Sequence, residues 1–178
     1  MFLKIVIGLA VVVVILVIVI ASRPSQFRVV RSAAISAPPS VVFEQVNDFH
    51  KWEAWSPWAR RDPNMKQIYE GSPAGTGAVY SWVGNSDVGE GRMTLIESHP
   101  GELIRLKLEF FKPFAATNAT EFTFKPAGAD GTAVTWTMTG RNNFLSKAMC
   151  LFVNMDRMVG GMFEQGLARM RSIVESTR

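Results

Sequence analysis

The chain has 178 residues, of which 48% are apolar and 19% charged, with a net charge of +4 and one cysteine. These figures exclude a disordered chain and an internal disulfide scaffold, and the length fits one large domain. The 19 basic residues form no run and no stripe interleaved with aromatics, so the surface carries no nucleic-acid footprint and reads as a solvated one.

The apolar excess sits at the amino terminus. Every residue of 1–21 except Lys4 and Gly8 is apolar, and the rest of the chain returns to about 42%, close to an ordinary globular composition. A polytopic membrane protein is thereby excluded. Ile5–Ala21 is uninterrupted by charge and, with Phe2 and Leu3, approaches the roughly 20 residues that cross a bilayer as a helix. Residues 1–22 are therefore expected to form an N-terminal transmembrane anchor, with membrane contact through residues 2–21. A signal peptide is the rival reading, although its apolar core is usually only about 7–15 residues. A buried core helix is a third, weakened by the lack of polar punctuation. Lys4 lies before the segment and Arg23, Arg28 and Arg31 after it, so the positive-inside rule assigns no side. Residues 23–26 form a short linker, which holds the domain of residues 27–178 close to the membrane.

Phe27–Ile35 is predicted as a first strand, broken by Ser36-Ala37-Pro38-Pro39-Ser40. A short helix starts near Pro39 or Ser40 and carries Val42, Phe43 and Val46. A second short helix covers Asp48–Trp55 and ends at Ser56, because a residue before proline is pushed out of helical geometry. Six strands follow: Met65–Glu70, Ala78–Val83, Val88–Ser98, Leu103–Phe111, Thr117–Lys125 and Ala133–Arg141, separated by glycine- and proline-containing turns. Ile104, Leu106, Leu108 and Phe110 alternate with Leu103, Arg105, Lys107 and Glu109; Val134, Trp136 and Met138 alternate with threonines. That pattern marks an antiparallel sheet with one dry and one wet face. Asn143–Ser176 is predicted as one long helix, with Phe152, Met155, Val159, Met162, Phe163, Met170, Ile173 and Val174 on its apolar stripe. Gly160-Gly161 implies either a kink or a close approach to the sheet. The expected class is α+β, a curved antiparallel sheet of about seven strands wrapped around a long C-terminal helix.

Several local runs bear a resemblance. Ile35-Ser36-Ala37-Pro38-Pro39 before Val42-Phe43, then Asp48, Trp52, Trp55 and Pro57-Trp58, resembles the opening of the polyketide cyclase/dehydrase and lipid-transport family. This family belongs to the START-like, Bet v 1-like (SRPBCC) superfamily. Asp62-Pro63, Tyr69-Glu70-Gly71, Gly75-Thr76-Gly77, Tyr80-Ser81-Trp82, Gly89-Glu90-Gly91 and Trp136 followed by Gly140 are similar to its bacterial members, and the likeness runs over about Phe27–Val174. The resemblance implies the helix-grip fold, whose cavity between sheet and terminal helix commonly holds an apolar ligand. It also implies a spread of roles, from carriers to cyclases.

Such a cavity would draw its lining from the dry faces: Trp55, Tyr80, Trp82, Met93, Leu108, Phe110, Phe122, Trp136, Met138, Met155, Met162 and Phe163. Five of the nine methionines lie in the last predicted helix, and their flexible thioethers suit ligands of varied shape. The same spacing is equally that of packed core. Glu90 is the candidate acid or base, if its side chain enters the apolar space and its pKa rises there. Arg92, Arg105, Glu121, Asp62, Glu70 and Asp156 are the other charges considered, each otherwise an exposed charge or, for Asp62, a turn former. Cys150, His50 and His99 lack motif spacing, so no metal site is expected, and nothing calls for a cofactor. Asn118-Ala119-Thr120 matches a glycosylation sequon but falls in a predicted strand. Three functions follow as expectations. The first is a membrane-tethered domain binding a lipid or other hydrophobic small molecule. The second is a cyclase/dehydratase-type enzyme using a cavity carboxylate, and the third is a membrane-proximal module for a protein partner.

Overall fold

The computed structural model describes residues 1–177. Helix α1 (Phe2–Ser22) leads into strand β1 (Gln26–Ile35), followed by α2 (Pro39–Asn47), a 3₁₀ turn at Phe49–Lys51 and α3 (Trp52–Trp55). Strands β2 (Lys66–Gly71), β3 (Ala78–Val83), β4 (Glu90–His99), β5 (Leu103–Lys112), β6 (Ala116–Ala127) and β7 (Gly131–Arg141) come next. Helices α4 (Phe144–Met149) and α5 (Met155–Ser176) end the chain. The strands form one antiparallel sheet in the order β1-β7-β6-β5-β4-β3-β2. A chain of hairpins runs from β2 to β7, and β1 closes on β7.

Local chemistry explains the boundaries. Pro39 occupies the first turn of α2, where a missing N–H costs nothing. The α3 segment stops at Ser56, whose extended backbone precedes Pro57. The predicted single terminal helix is in fact two. Asn143 caps α4 by accepting the Ser146 N–H at 2.8 Å, and Asn154 caps α5 by accepting the Arg157 N–H at 2.9 Å. A second asparagine cap restarts the helix, so residues 150–154 form a break. Phe152 falls in that break and is 88% exposed, which removes it from the apolar stripe.

The dry face of the sheet meets α5, as alternation predicts. Ile104, Leu106, Phe122 and Val134 are wholly buried, whereas Arg105 and Lys107 are exposed. Leu167, Met170 and Val174 of α5 pack into the same core with α2's Val42, Phe43 and Val46. Arg31 of β1 fastens the other half of α5. Its guanidinium pairs with Asp156 at 3.0 Å and Glu164 at 2.6 Å. These two acids and Gly160 lie on one helical stripe at successive i, i+4 positions. A side chain at Gly160 would collide with the Arg31 guanidinium, so the glycine is explained by close approach to the sheet. Gly161 meets nothing within 4 Å.

The register divides the inner face into two halves. The start of β1, the end of β7, the β5–β6 turn and the β3–β4 turn share one end, since Gln26 faces Arg141, Asn118 faces Gly140 and Glu90 faces Lys112. The core just described fills the opposite half. The half nearest α1 holds a cavity.

Candidate functional site, an apolar cavity under the sheet

The cavity measures about 320 Å³, at the lower end of the range of small-molecule pockets. Tyr80, Trp82, Met93, Leu108, Phe110 and Met138 reach it from the sheet, and Met155, Met158, Val159 and Phe163 from α5. Residues within and just after the short helices close one side, Phe49, Trp52 and Trp58 among them. Gly91 has a specific part. A Cβ there would strike the Trp82 ring, so its absence lets that indole lie across β4. Trp82 then donates from Nε1 to the Val88 carbonyl at 3.0 Å and meets Phe110 edge-on at 5.9 Å.

Behind this wall stands an aromatic stack. Trp136 lies parallel to Phe163 at 3.9 Å and stacks on Phe122 at 4.8 Å, while Trp55 meets its edge at 5.6 Å. The indoles of Trp52 and Trp55 donate to the carbonyls of Val46 and Gln45. Trp136 differs: its Nε1 is buried and has no hydrogen-bond partner among the described residues, and neither has the Thr120 hydroxyl. Both residues line the cavity, beside Asn118. Unpaired buried polar atoms are uncommon and costly, so two on one wall single out a place.

Phenols contribute further polarity. Tyr69 donates to Gln67 Oε1 at 2.7 Å and stands 5.3 Å from Tyr80, centroid to centroid. Burial, with smaller contributions from Tyr69 and Glu53, pushes the Tyr80 phenol above its usual pKa, so it stays protonated. Among the described lining residues the charged ones are Glu53 and Asp87, both exposed at the rim.

The structure brings nine of the twelve sequence-predicted residues to the cavity: Tyr80, Trp82, Met93, Leu108, Phe110, Trp136, Met138, Met155 and Phe163. Three stand elsewhere. Trp55 and Phe122 are fully buried in the stack behind Trp136, and Met162 turns away, its sulfur 3.5 Å from Arg61 Nη2. Glu90 is also off the wall: it pairs with Lys112 at 2.7 Å across β4 and β5. The neighbouring charges are likewise structural. Arg105 pairs with Glu97 and Glu121, Asp156 with Arg31, and Asp62 accepts the N–H groups of Asn64 and Asn85 to hold two turns together. Among the described residues each carboxyl with a displaced pKa is lowered: Glu97 by His99 and Arg105, Asp156 by Arg31, and Glu175 by the Ser36 N–H and Arg171. Cys150 lies in the helix break, while His50 stacks on Tyr69 and His99 binds Glu97.

Sequence reasoning missed Phe27, Phe49, Trp52, Trp58, Met65, Tyr69, Asn118, Thr120, Met158 and Val159 on the wall. Some were legible. Asn118 and Thr120 share the parity of Phe122 on β6, so the sequon residues face inward with it.

The likeness to solved structures is one of fold. Protein CV1439 from Chromobacterium violaceum superposes with a TM-score of 0.59 at 18% identity, covering 86% of this chain and 99% of that one. A protein of unknown function from Staphylococcus aureus, SA2116, gives 0.62 at 16%, covering 85% and 95%. Aha1 from Colwellia psychrerythraea gives 0.60 at 11%, covering 84% and 96%. A comparison with curated protein sequences finds no significant match. A family model described as polyketide cyclase / dehydrase and lipid transport matches residues 26–175.

Proposed function

The chain belongs to the polyketide cyclase/dehydrase and lipid-transport family, and from that membership we propose that it is a membrane-tethered domain that takes a neutral hydrophobic small molecule, such as a lipid, between its sheet and α5. The observation that carries this reading is the cavity itself, an apolar space of about 320 Å³ walled by aromatic and methionine side chains. Burying an acyl chain there is favourable by about 0.8 kcal/mol per CH₂, and no catalytic constellation is needed to use that term.

The wall also argues for the ligand's charge. No lysine, arginine or histidine stands among the described lining residues, and the rim carboxylates Glu53 and Asp87 repel anions. An anionic headgroup would enter without a counter-charge. A neutral molecule enters without that cost, and an oxygen atom on it that reached the buried Trp136 N–H or Thr120 hydroxyl would supply the partner they lack.

The tether is α1: 21 residues, long and apolar enough to cross a bilayer, with Ile20 its one buried residue. A signal sequence meets the same length test, and intact mass separates the two. Full-length protein in washed membranes should weigh 19.7 kDa if α1 is retained. For the ligand, the chain is purified in mild detergent and its organic extract analysed by mass spectrometry. A stoichiometric neutral, oxygen-bearing apolar molecule is expected. Repeated empty extracts, together with no saturable binding of a neutral fluorescent probe, would sink the reading.

A further inference from the structure

The end of the sheet that holds the cavity also carries apolar side chains with nothing packed over them. Phe144, Leu145 and Met149 project from α4, and Phe152 and Val153 from the break after it, all of them exposed. Phe114, 56% exposed, stands in the β5–β6 turn at the same end. Six large apolar groups at one pole of a domain are the mark of a contact surface.

Two observations say what covers them. The first is continuity with α1. Helix α4 packs beside the C-terminal end of α1, where Lys147 Nζ donates to the Ala21 carbonyl at 3.2 Å, and Ile20 is buried at this end. A bilayer that surrounds α1 therefore ends beside α4, and only Arg23–Ser25 separate α1 from β1. The second is charge. Arg23, Arg141 and Arg157 lie at this end, are exposed, and make no salt bridge among the described residues. Exposed basic groups around an apolar patch match phosphate headgroups above an acyl layer.

We infer that α4, the 150–154 break and the β5–β6 turn form a second membrane contact, lying in the headgroup–acyl boundary of the leaflet from which α1 emerges. The inference rests on α1 being retained as an anchor. Its functional consequence concerns the cavity mouth. Met155 and Met158 line the cavity immediately after the break, and Met158 is 53% exposed, so the space reaches the surface beside this contact. A ligand dissolved in the bilayer then passes to the cavity along an apolar path, without crossing water.

Cys150, the single cysteine, lies within the proposed contact and supplies the test. The full chain is labelled there with bimane and reconstituted into phosphatidylcholine vesicles containing phosphatidylglycerol and a lipid bearing a shallow nitroxide. The label should be quenched about twofold or more, as expected of a group at the acyl boundary. The same label on Ala129→Cys in a Cys150→Ser chain should not be, because the β6–β7 turn lies at the opposite end of the sheet. Phe144→Asp combined with Phe152→Asp should abolish quenching while the chain stays in the carbonate-washed pellet. An unquenched Cys150 label on a chain that stays in that pellet overturns the second contact and leaves the anchor intact. Release of the chain by carbonate overturns the anchor and the contact together. An unquenched label, together with oxidant-induced disulfide-linked dimers of the unlabelled chain through Cys150, shows that a second copy covers the face, and equally overturns the inference.

Discussion

Thr120→Val separates a ligand-binding polar group from a merely buried one, because it changes stability and affinity in opposite directions. Thr120 is 4% exposed, and its hydroxyl finds no partner among the described residues. Valine keeps the β-branched shape that suits a strand and deletes only the hydroxyl. A buried polar group left unpaired costs about 1–3 kcal/mol in protein mutational series. Its removal should therefore stabilise the ligand-free chain, by about 1 kcal/mol at the low end of that range, which is a rise of about 2–4 °C in Tm for a domain of this size. On the proposed reading the same change withdraws a hydrogen bond from a ligand oxygen. At about 1.4 kcal/mol per factor of ten, affinity for an oxygen-bearing ligand should fall about five- to tenfold.

The assay uses two neutral probes of similar bulk. One is a ketone-bearing dimethylaminonaphthalene dye and the other diphenylhexatriene, a hydrocarbon. Thr120→Val should weaken the ketone and leave the hydrocarbon unchanged, with the melting temperature of the detergent-solubilised apo chain raised. Equal loss of both probes would mean that the wall had been distorted. A lowered melting temperature would mean that the hydroxyl supports the fold, and either result refutes the assignment.

Leu108→Trp places an indole in the cavity and should lower affinity for both probes more than tenfold with the fold retained, read by probe titration beside a thermal melt. Gly160 and Gly161 should respond oppositely to alanine. Gly161→Ala meets open space and should gain about 0.5–1 kcal/mol of helix propensity, whereas Gly160→Ala drives a methyl into Arg31 and should lose about 1–3 kcal/mol to overpacking, both measured by urea unfolding. Glu97, Asp156 and Glu175 are all held below their usual carboxyl values, so the stability they add is present above those values and is lost as the pH falls through the lowered ones. Urea midpoints should therefore drop between about pH 5 and about pH 2, and Asp156→Asn should make that drop shallower. A curve unchanged by Asp156→Asn would remove Arg31 from the low-pH account.

The alternation of β5 and β7 made the sheet, its wet and dry faces and most of the wall readable in advance, because period-two patterning depends only on which side a residue faces. Whether that side is packed or open depends on what crosses it. Ile104, Leu106, Leu108 and Phe110 follow one pattern along one strand, yet the first two are wholly buried and the last two face the cavity. The difference is made by α5, whose Leu167, Met170 and Val174 cover the first pair's half of the sheet. Its first turns, which follow the 150–154 break, put Met155, Met158 and Val159 over the other half, where they border the cavity and do not fill it. Asn154 was the visible sign of the break, but a single asparagine is a weak signal against a continuous 3–4 spacing of apolar residues. The misplacement of Trp55, Phe122 and Met162 has a related cause. In a stack of rings, parity cannot say which ring is in front, and Trp136 stands between the cavity and the other two aromatics.

The same reasoning explains why the open half is the one beside α1. β1 enters the sheet directly from α1, and β7 leaves it into α4, so both termini of the sheet chain converge at one pole. In place of elements that cap that pole as a core stand α1's end and a helix of only six residues, α4. A soluble domain would meet the exposed Phe144 and Phe152 with further chain. On the proposed reading a membrane beside α1 takes that place, and the opening left between α5 and the sheet then faces the phase in which an apolar ligand is most soluble. A cavity at the opposite pole, around Ala129, would have required the ligand to cross the full length of the strands through water. Moving the tether is therefore informative. Attaching α1 after residue 178 by a flexible linker should preserve probe binding in detergent and slow probe transfer from vesicles, and equal transfer rates from the two arrangements would refute the link between pole and function.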